Sequence, residues 1–118
     1  MIGHEFEVTT QPDGDGRVIF ELHGDINAGA GTKLEAAQAA LEEPERAAVV
    51  LDFEDVDYIN STGIALIVGL LARARAAGLA VVAHGLSDHY REIFQITRLA
   101  DFVGLHPDRA SALRAARA

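Results

Sequence analysis

Apolar and polar residues alternate with period two in two short segments near the start of the chain. Residues 5–9 and 18–22 both follow this pattern, which is typical of strands with one buried face. The sequence PDGDG at residues 12–16 lies between them and is rich in turn-forming residues. We therefore expect an antiparallel hairpin at the start of the fold.

The rest of the chain switches between helical and buried-strand patterns. Apolar residues at helical spacing predict four helices, at residues 32–43, 62–77, 87–99 and 108–118. Pro44 would close the first of them. Short apolar runs predict strands at residues 47–53, 79–83 and 102–106. The resulting order, ββαβαβαβα, predicts an α/β fold: a mixed four- to five-stranded sheet with about four helices and an N-terminal edge hairpin.

Size and composition agree with one domain spanning residues 1–118. Apolar residues make up 49% of the 118, as in an ordinary globular protein. The formal net charge of −8 argues against direct binding to nucleic acid, whose phosphates most of this surface would repel. The chain has no cysteine and no apolar run long enough to span a bilayer, and its first ten residues lack the basic and then apolar pattern expected of a secretion signal. We expect a cytoplasmic protein without a membrane partner.

One polar break interrupts the apolar stretch YINSTGIALI at residues 58–67. Ser61 should lie at or next to the helix N-cap, where its hydroxyl could simply accept a backbone N–H. However, Asn60, Ser61 and Thr62 offer three potential caps where one is enough, and Gly63 would let another molecule approach closely. A phosphate on Ser61 would face the positive end of the helix dipole. Both a cap and a modification site remain possible for Ser61.

Other chemistry has little support in the sequence. A nucleophile elbow needs Gly-x-Ser-x-Gly, but Ile59 occupies the first glycine position, so no catalytic residue is predicted. The histidines lie in different predicted elements and lack the spacing of metal ligands, so no metal site or cofactor is predicted. They are His4, His23, His84, His89 and His106.

Three segments together resemble a known family. They are LHGDINAGAGTKLEAA, LDFEDVDYINSTGIALIVGLLARARAAG and LAVVAHGLSDHYREIFQITRLADFVGLHPD. The combination of strand, acidic loop, polar residue, Ser-Thr-Gly and apolar helix resembles the STAS domain, in particular the bacterial anti-sigma-factor antagonists. The resemblance extends over nearly the whole chain.

The resemblance implies a switch rather than an enzyme. In that family the unphosphorylated antagonist binds an anti-sigma factor that is also a serine kinase, which releases the sigma factor to RNA polymerase. Phosphorylation of the first serine of the motif, here Ser61, ends binding, and a PP2C-type phosphatase restores it. Thr62 is the second choice as phosphate acceptor. We expect a monomer or a weak homodimer.

The resemblance also implies a docking surface around the first junction and the start of the apolar helix. Its predicted members are Asp25, Asn27, Ala28, Gly29, Asn60, Ser61, Thr62, Gly63, Ala65, Leu66 and Gly69. Two positions depart from the family, because Asn60 and Asn27 stand where an aspartate is common. The lost charges predict a different kinase or slower phosphorylation, with an exposed Asp25 as a substitute charge.

Two other classes of function remain open. The chain could be a constitutive STAS scaffold or regulatory module, in a stress-signalling assembly or associated with a transporter, in which Ser61 is only a helix cap. It could also be an α/β domain that binds a small molecule in the crevice at the carboxyl ends of its strands.

Overall fold

The computed structural model describes residues 4–14, 16–43 and 46–116. Its regular elements follow the order ββαβαβαβα, so the predicted α/β fold is confirmed. In chain order they are β1 (Glu7–Asp13), β2 (Arg17–Ile26), α1 (Gly31–Ala37), β3 (Ala48–Ile59), α2 (Ser61–Ala76), β4 (Ala80–His84), α3 (Asp88–Ile96), β5 (Gly104–His106) and α4 (Arg109–Ala115). The predictions for Asp15 in the turn, for Pro44 as a helix stop and for residues 117–118 lie outside the described residues.

The five strands form one mixed sheet in the order β1-β2-β3-β4-β5. β1 pairs antiparallel with β2, as the predicted hairpin requires, whereas β2, β3, β4 and β5 run parallel. The helices α1, α2 and α3 supply the crossovers that parallel neighbours need. The last residues of β2, β3, β4 and β5 therefore meet at one end of the sheet, called here the carboxyl end.

Helices cover both faces of the sheet, but unequally. The larger core lies under α1, α2 and α3, and its bulkiest buried members include Phe20, Leu22, Leu51, Phe53, Ile67, Leu70 and Phe94. A smaller core lies on the opposite face under α4 and consists of Ile19, Ala48, Val50, Val82, Ala112 and Ala116. β3 contributes to both cores, because successive side chains of a strand point to opposite faces. Its apolar run was predicted to be buried on both sides, and this prediction is confirmed.

Two strands are longer than their apolar patterns predicted. β2 continues beyond Leu22 to Ile26, and β3 continues beyond Phe53 to Ile59. The two extensions pair with each other in parallel, ending with Ile26 opposite Ile59, and the register shifts twice on the way. The end of β3 stays in the sheet although it is polar, because backbone pairing does not require apolar side chains.

The first helix is shorter than predicted. α1 ends at Ala37, and the remaining predicted residues form a 3-10 helix at Gln38–Glu42, which keeps Gln38 and Leu41 buried. Throughout the described part of the chain, no helix combines the length and the hydropathy needed to cross a membrane.

Candidate functional site

Ser61 lies at the carboxyl end of the sheet, directly after β3. The preceding residues are held by two hydrogen bonds to other parts of the chain. The Asn60 N–H donates to the Ile26 carbonyl at 3.2 Å, and the Ile59 N–H donates to the Tyr90 hydroxyl at 2.9 Å. The start of α2 is therefore fixed against the end of β2 and against α3. This contact of Tyr90 was not predicted, because nothing in the local sequence pattern pairs residues 31 positions apart.

Asn60 is the N-cap of α2. Its side-chain oxygen accepts a hydrogen bond from the Gly63 N–H at 2.8 Å, and its backbone is extended, as is usual for a capping residue. Ser61 is then the first residue of the helix rather than its cap. Ser61 was expected at or next to the N-cap, and it lies next to it; the interpretation in which Ser61 itself caps the helix is not met, because Asn60 occupies the cap position.

Ser61 and Thr62 are the first two residues of α2. Both residues are exposed, and the Ser61 hydroxyl forms no hydrogen bond with any residue that the structure describes. Folding therefore makes no use of this hydroxyl. The structure leaves it open to chemistry directed from outside the chain.

Gly63 has a different role from the one its sequence context indicated. It is buried, and a Cβ at this position would overlap the carbonyl oxygen of Ile26. The close approach that Gly63 permits is thus made by the end of β2 in the same chain. The expectation that Gly63 leaves room for another molecule is corrected by this contact.

The junction between β2 and α1 lies beside the start of α2 and repeats its capping chemistry. Asn27 accepts a hydrogen bond from the Gly29 N–H at 2.9 Å and caps a 3-10 helix, Ala28–Ala30. Ala28 and Gly29 are exposed, while Asn27 is half-buried. Both asparagines that replace the family's usual aspartates therefore act as caps, because a neutral amide oxygen accepts the same backbone hydrogen bond as a carboxylate.

Asp25 is half-buried and not exposed as expected. Its carboxylate accepts a hydrogen bond from the His4 N–H at 3.2 Å. The His4 ring in turn lies 2.9 Å from the carboxylate of Asp57 in β3. These three side chains could offer ligand atoms to a cation, but the Asp25 carboxylate already accepts from the His4 backbone, the His4 ring already pairs with Asp57, and His4 and Asp57 are exposed.

Lys33 of α1 holds the segment before β1 next to this junction. Its ammonium group lies 2.7 Å from Glu5 and 2.9 Å from Glu7, and it also donates to the Phe6 carbonyl at 2.7 Å. The hydrogen bonds that Lys33 donates to the Glu5 and Glu7 carboxylates raise the pKa of Lys33, and the bond to Glu5 lowers the pKa of Glu5. The only lysine of the chain is thus engaged within the fold.

A groove of about 180 Å³ lies between α1 and α2. Three predicted docking residues of α2, Ala65, Leu66 and Gly69, line it together with Gly31 and Leu34. Ala65 and Gly69 are exposed, and a Cβ placed on Gly69 would meet no neighbouring atom within 4 Å. The structure therefore brings these three positions together on the side of α2 that faces α1.

A second groove, of about 230 Å³, lies on the other side of α2 and was not predicted. Phe102 is 53% exposed and Val68 is 44% exposed at this groove. The Arg75 guanidinium lies over the Phe102 ring, 5.4 Å from its centre. Phe102 was predicted to begin the last strand, but β5 begins only at Gly104, and the side chain of Phe102 projects outward. The complete lining is Val68, Leu71, Ala72, Arg75, Leu99 and Phe102.

Comparisons with known proteins agree with this architecture. Residues 6–112 match the STAS domain family. The protein BtrV of Bordetella bronchiseptica, which is named as an anti-sigma factor antagonist, is 33% identical over 104 residues, which are 88% of this chain and 87% of BtrV. The anti-sigma-B factor antagonist of Listeria monocytogenes is 31% identical over 80 residues, which are 68% of this chain and 70% of that protein. The chain therefore belongs to the STAS domain family.

Solved structures show the same fold. An anti-sigma factor antagonist from Mycobacterium paratuberculosis superposes with a TM-score of 0.72 at 27% identity, covering 95% of this chain and 96% of that one. The Bacillus cell fate determinant SpoIIAA in its phosphorylated form superposes with a TM-score of 0.73 at 18% identity, covering 94% of this chain and all of SpoIIAA. The family resemblance seen in the sequence is thus confirmed.

Proposed function

We propose that this protein is an anti-sigma-factor antagonist controlled by phosphorylation of Ser61. In the unphosphorylated state it binds an anti-sigma factor with serine kinase activity, so that a sigma factor is released for transcription. The kinase phosphorylates Ser61 and ends binding, and a PP2C-type phosphatase restores it. The protein acts as ligand and substrate in the cytoplasm and catalyses no reaction itself. The observation that carries the proposal is the exposed Ser61 hydroxyl, which the fold does not use.

The proposed docking surface combines the exposed predicted residues with the half-buried Leu66, which lines the groove between α1 and α2. It comprises Ala28, Gly29, Ser61, Thr62, Ala65, Leu66 and Gly69. Asn27 and Asn60 cap the helices that carry this surface. Asp25 accepts a hydrogen bond from the His4 N–H beside it, and Gly63 lies buried beneath it. The names of the relatives BtrV and anti-sigma-B factor antagonist favour an anti-sigma factor as the occupant.

A phosphate on Ser61 would change docking far more than folding. The cap of α2 is the Asn60 side chain, so a modified Ser61 would break no bond of the fold. The phosphate would also stand at the positive end of a 16-residue helix, where negative charge is stabilised. SpoIIAA, which has this fold, has been solved in both its phosphorylated and unphosphorylated forms. Against a partner, by contrast, the charge would have to lose its hydration, at a cost of several kcal/mol.

Binding by substituted proteins tests the switch. Ser61→Ala should bind the anti-sigma factor of the same organism as tightly as the wild type, because the hydroxyl supports no other contact in the fold. Ser61→Asp should bind about 100-fold more weakly, because docking would bury an unpaired charge. Isothermal titration calorimetry measures both affinities. Ser87→Asp is the matched control, since it adds the same charge at the start of the neighbouring helix α3 and should leave binding unchanged.

Mass spectrometry tests the modification itself. After incubation with the kinase and ATP, the phosphate should be on Ser61 and absent from Ser61→Ala. Asn60→Asp would keep the cap and restore the family's usual carboxylate, and it should be phosphorylated faster than the wild type. An unmodified Ser61 in a protein that still binds, with Ser61→Asp binding equally well, would refute the switch. That result would favour the constitutive scaffold.

A further inference from the structure

His84, the last residue of β4, is buried without a hydrogen-bond partner. Its side chain is completely inaccessible to solvent, and neither ring nitrogen forms a hydrogen bond with the residues that the structure describes. Leaving a buried polar group unpaired is energetically costly, so native proteins rarely keep one without a reason. His84 lies on the α4 face of the sheet, away from the Ser61 surface.

Two carboxylates of the neighbouring strand β3 approach this imidazole. Glu54 Oε2 lies 3.0 Å from His84 Nδ1, but this contact is not aligned as a hydrogen bond, and Asp52 Oδ1 lies 3.9 Å from Nε2, which is too long for one. One donor atom from each of the three residues can be chosen so that all lie within 4.8 Å of one another. Ligands of a tetrahedral zinc ion, at bond lengths of about 2.0–2.2 Å, are separated by about 3.4 Å. Asp52 Oδ1 and His84 Nε2, 3.9 Å apart, are already near this spacing, and the half-exposed Glu54 side chain could rotate towards them.

The surroundings hold the carboxylates in place. The Asp52 carboxylate accepts a hydrogen bond from Arg109 at 2.7 Å through Oδ2 and one from the Glu54 N–H at 2.9 Å through Oδ1. Gly85 adopts a φ of +83°, and a Cβ there would overlap the Glu54 side chain. Glycine at this position therefore lets Glu54 lie beside His84. Hydrogen bonds behind metal-binding carboxylates commonly orient the ligands in this way.

We propose that Asp52, Glu54 and His84 form a binding site for a divalent transition-metal ion such as Zn²⁺. One imidazole nitrogen and two carboxylate oxygens are a donor set that suits Zn²⁺ better than Ca²⁺ or Mg²⁺. Glu54 is 54% exposed and gives the ion a path from solvent, where water completes the coordination. No metal site was predicted from the sequence, because His84 lies in a different strand and 30 or more residues from the two carboxylates. The positive charge of Arg109 would repel the ion, but the Arg109 guanidinium also donates to the Glu21 carboxylate at 3.0 Å, which partly neutralises that charge.

Zinc titration of the full chain, followed by NMR and calorimetry, tests the site. One Zn²⁺ should bind, and the ring ¹⁵N resonances of His84 should shift and saturate with the same stoichiometry. Glu54→Gln removes one ligand at an exposed position and should weaken binding at least about tenfold. Asp55→Asn is the matched control, because it removes the same charge from the next residue, and it should leave the affinity unchanged. The cluster of His4, Asp25 and Asp57 is a competing candidate site. His4→Ala removes one ligand of that cluster and should also leave the zinc affinity unchanged.

The outcomes separate the alternatives. If the His84 resonances do not respond to Zn²⁺, or if Glu54→Gln binds as tightly as the wild type, the proposal is wrong. Zinc uptake that is lost in His4→Ala would also overturn it. None of these results bears on binding through the Ser61 surface, which lies on a different face of the sheet.

Discussion

Ser61 and Ser87 stand at corresponding junctions of the fold but have different roles. Each follows a parallel strand and lies at the start of the next helix, and each is exposed. Ser87 is the N-cap of α3, and its hydroxyl accepts a hydrogen bond from the Tyr90 N–H at 3.2 Å. Ser61 is one residue further into its helix, where Asn60 already provides the cap. One serine is thus part of the fold and the other is not.

The difference shows how a chain can display a hydroxyl at no structural cost. A side-chain oxygen at the capping position satisfies a helix donor, and further polar residues at the same place are superfluous to folding. At the β3–α2 junction the Asn60 side chain satisfies this helix donor. Ser61 can therefore gain or lose a phosphate while α2 keeps its cap. At the β4–α3 junction a modification of Ser87 would remove the cap itself.

Substitution of Gly63 is expected to have the largest effect on stability. Gly63→Ala would force the new methyl group into the Ile26 carbonyl and separate α2 from β2, lowering the free energy of unfolding by about 3 kcal/mol or more. Gly69→Ala is the matched control in the same helix. No neighbouring atom lies within 4 Å of a Cβ placed at position 69, so Gly69→Ala should stabilise the protein by about 0.5–1 kcal/mol. Urea unfolding measures both, and equal effects would show that the junction is not tightly packed.

Removal of each hydroxyl tests the comparison directly. Ser87→Ala should lower the free energy of unfolding by about 1 kcal/mol, because it deletes the cap of α3. Ser61→Ala should change it by less than about 0.5 kcal/mol, since an exposed residue without a partner is replaced. Chemical denaturation of the two variants gives the difference. A loss in Ser61→Ala as large as in Ser87→Ala would mean that Ser61 supports the fold after all.

The smallest effect concerns pH and the cap of α4. Asp108 accepts hydrogen bonds from the Ser111 N–H and hydroxyl, both at 2.8 Å, and these lower the pKa of Asp108 below its ordinary value of 3.8. Its contribution to stability is therefore complete above the ordinary value and is lost as the pH falls through the lowered one. Asp108→Asn keeps a cap without a titrating group, so it should lose less stability between neutral and acidic pH than the wild type. The caps Asn60 and Ser87 add no pH dependence of stability, because their side chains carry no titrating group. Parallel acid-stability curves for the two proteins would contradict the assignment.

The order of elements was predictable because the period of apolar residues directly reflects which face of a strand or helix is buried. The ends of the strands and helices were less predictable than their order. The polar residues between Phe53 and Ile59 resemble a loop, yet they pair with β2, and the apolar Phe102 resembles a strand residue, yet it is exposed. Local patterns record side-chain burial, whereas strand ends depend on a partner elsewhere in the chain.

The sequence by itself determined the α/β order, the family and the polar break at residues 60–62, because these follow from local patterning and from matches along the chain. Only the tertiary structure decided which residue of that break is the cap, because the cap depends on β3 reaching Ile59 opposite Ile26. Likewise, only the pairing of β3 with β4 places Asp52 beside His84, 32 residues further along the chain. Such contacts depend on strand register, and register is settled by the packing of the whole sheet rather than by any one segment.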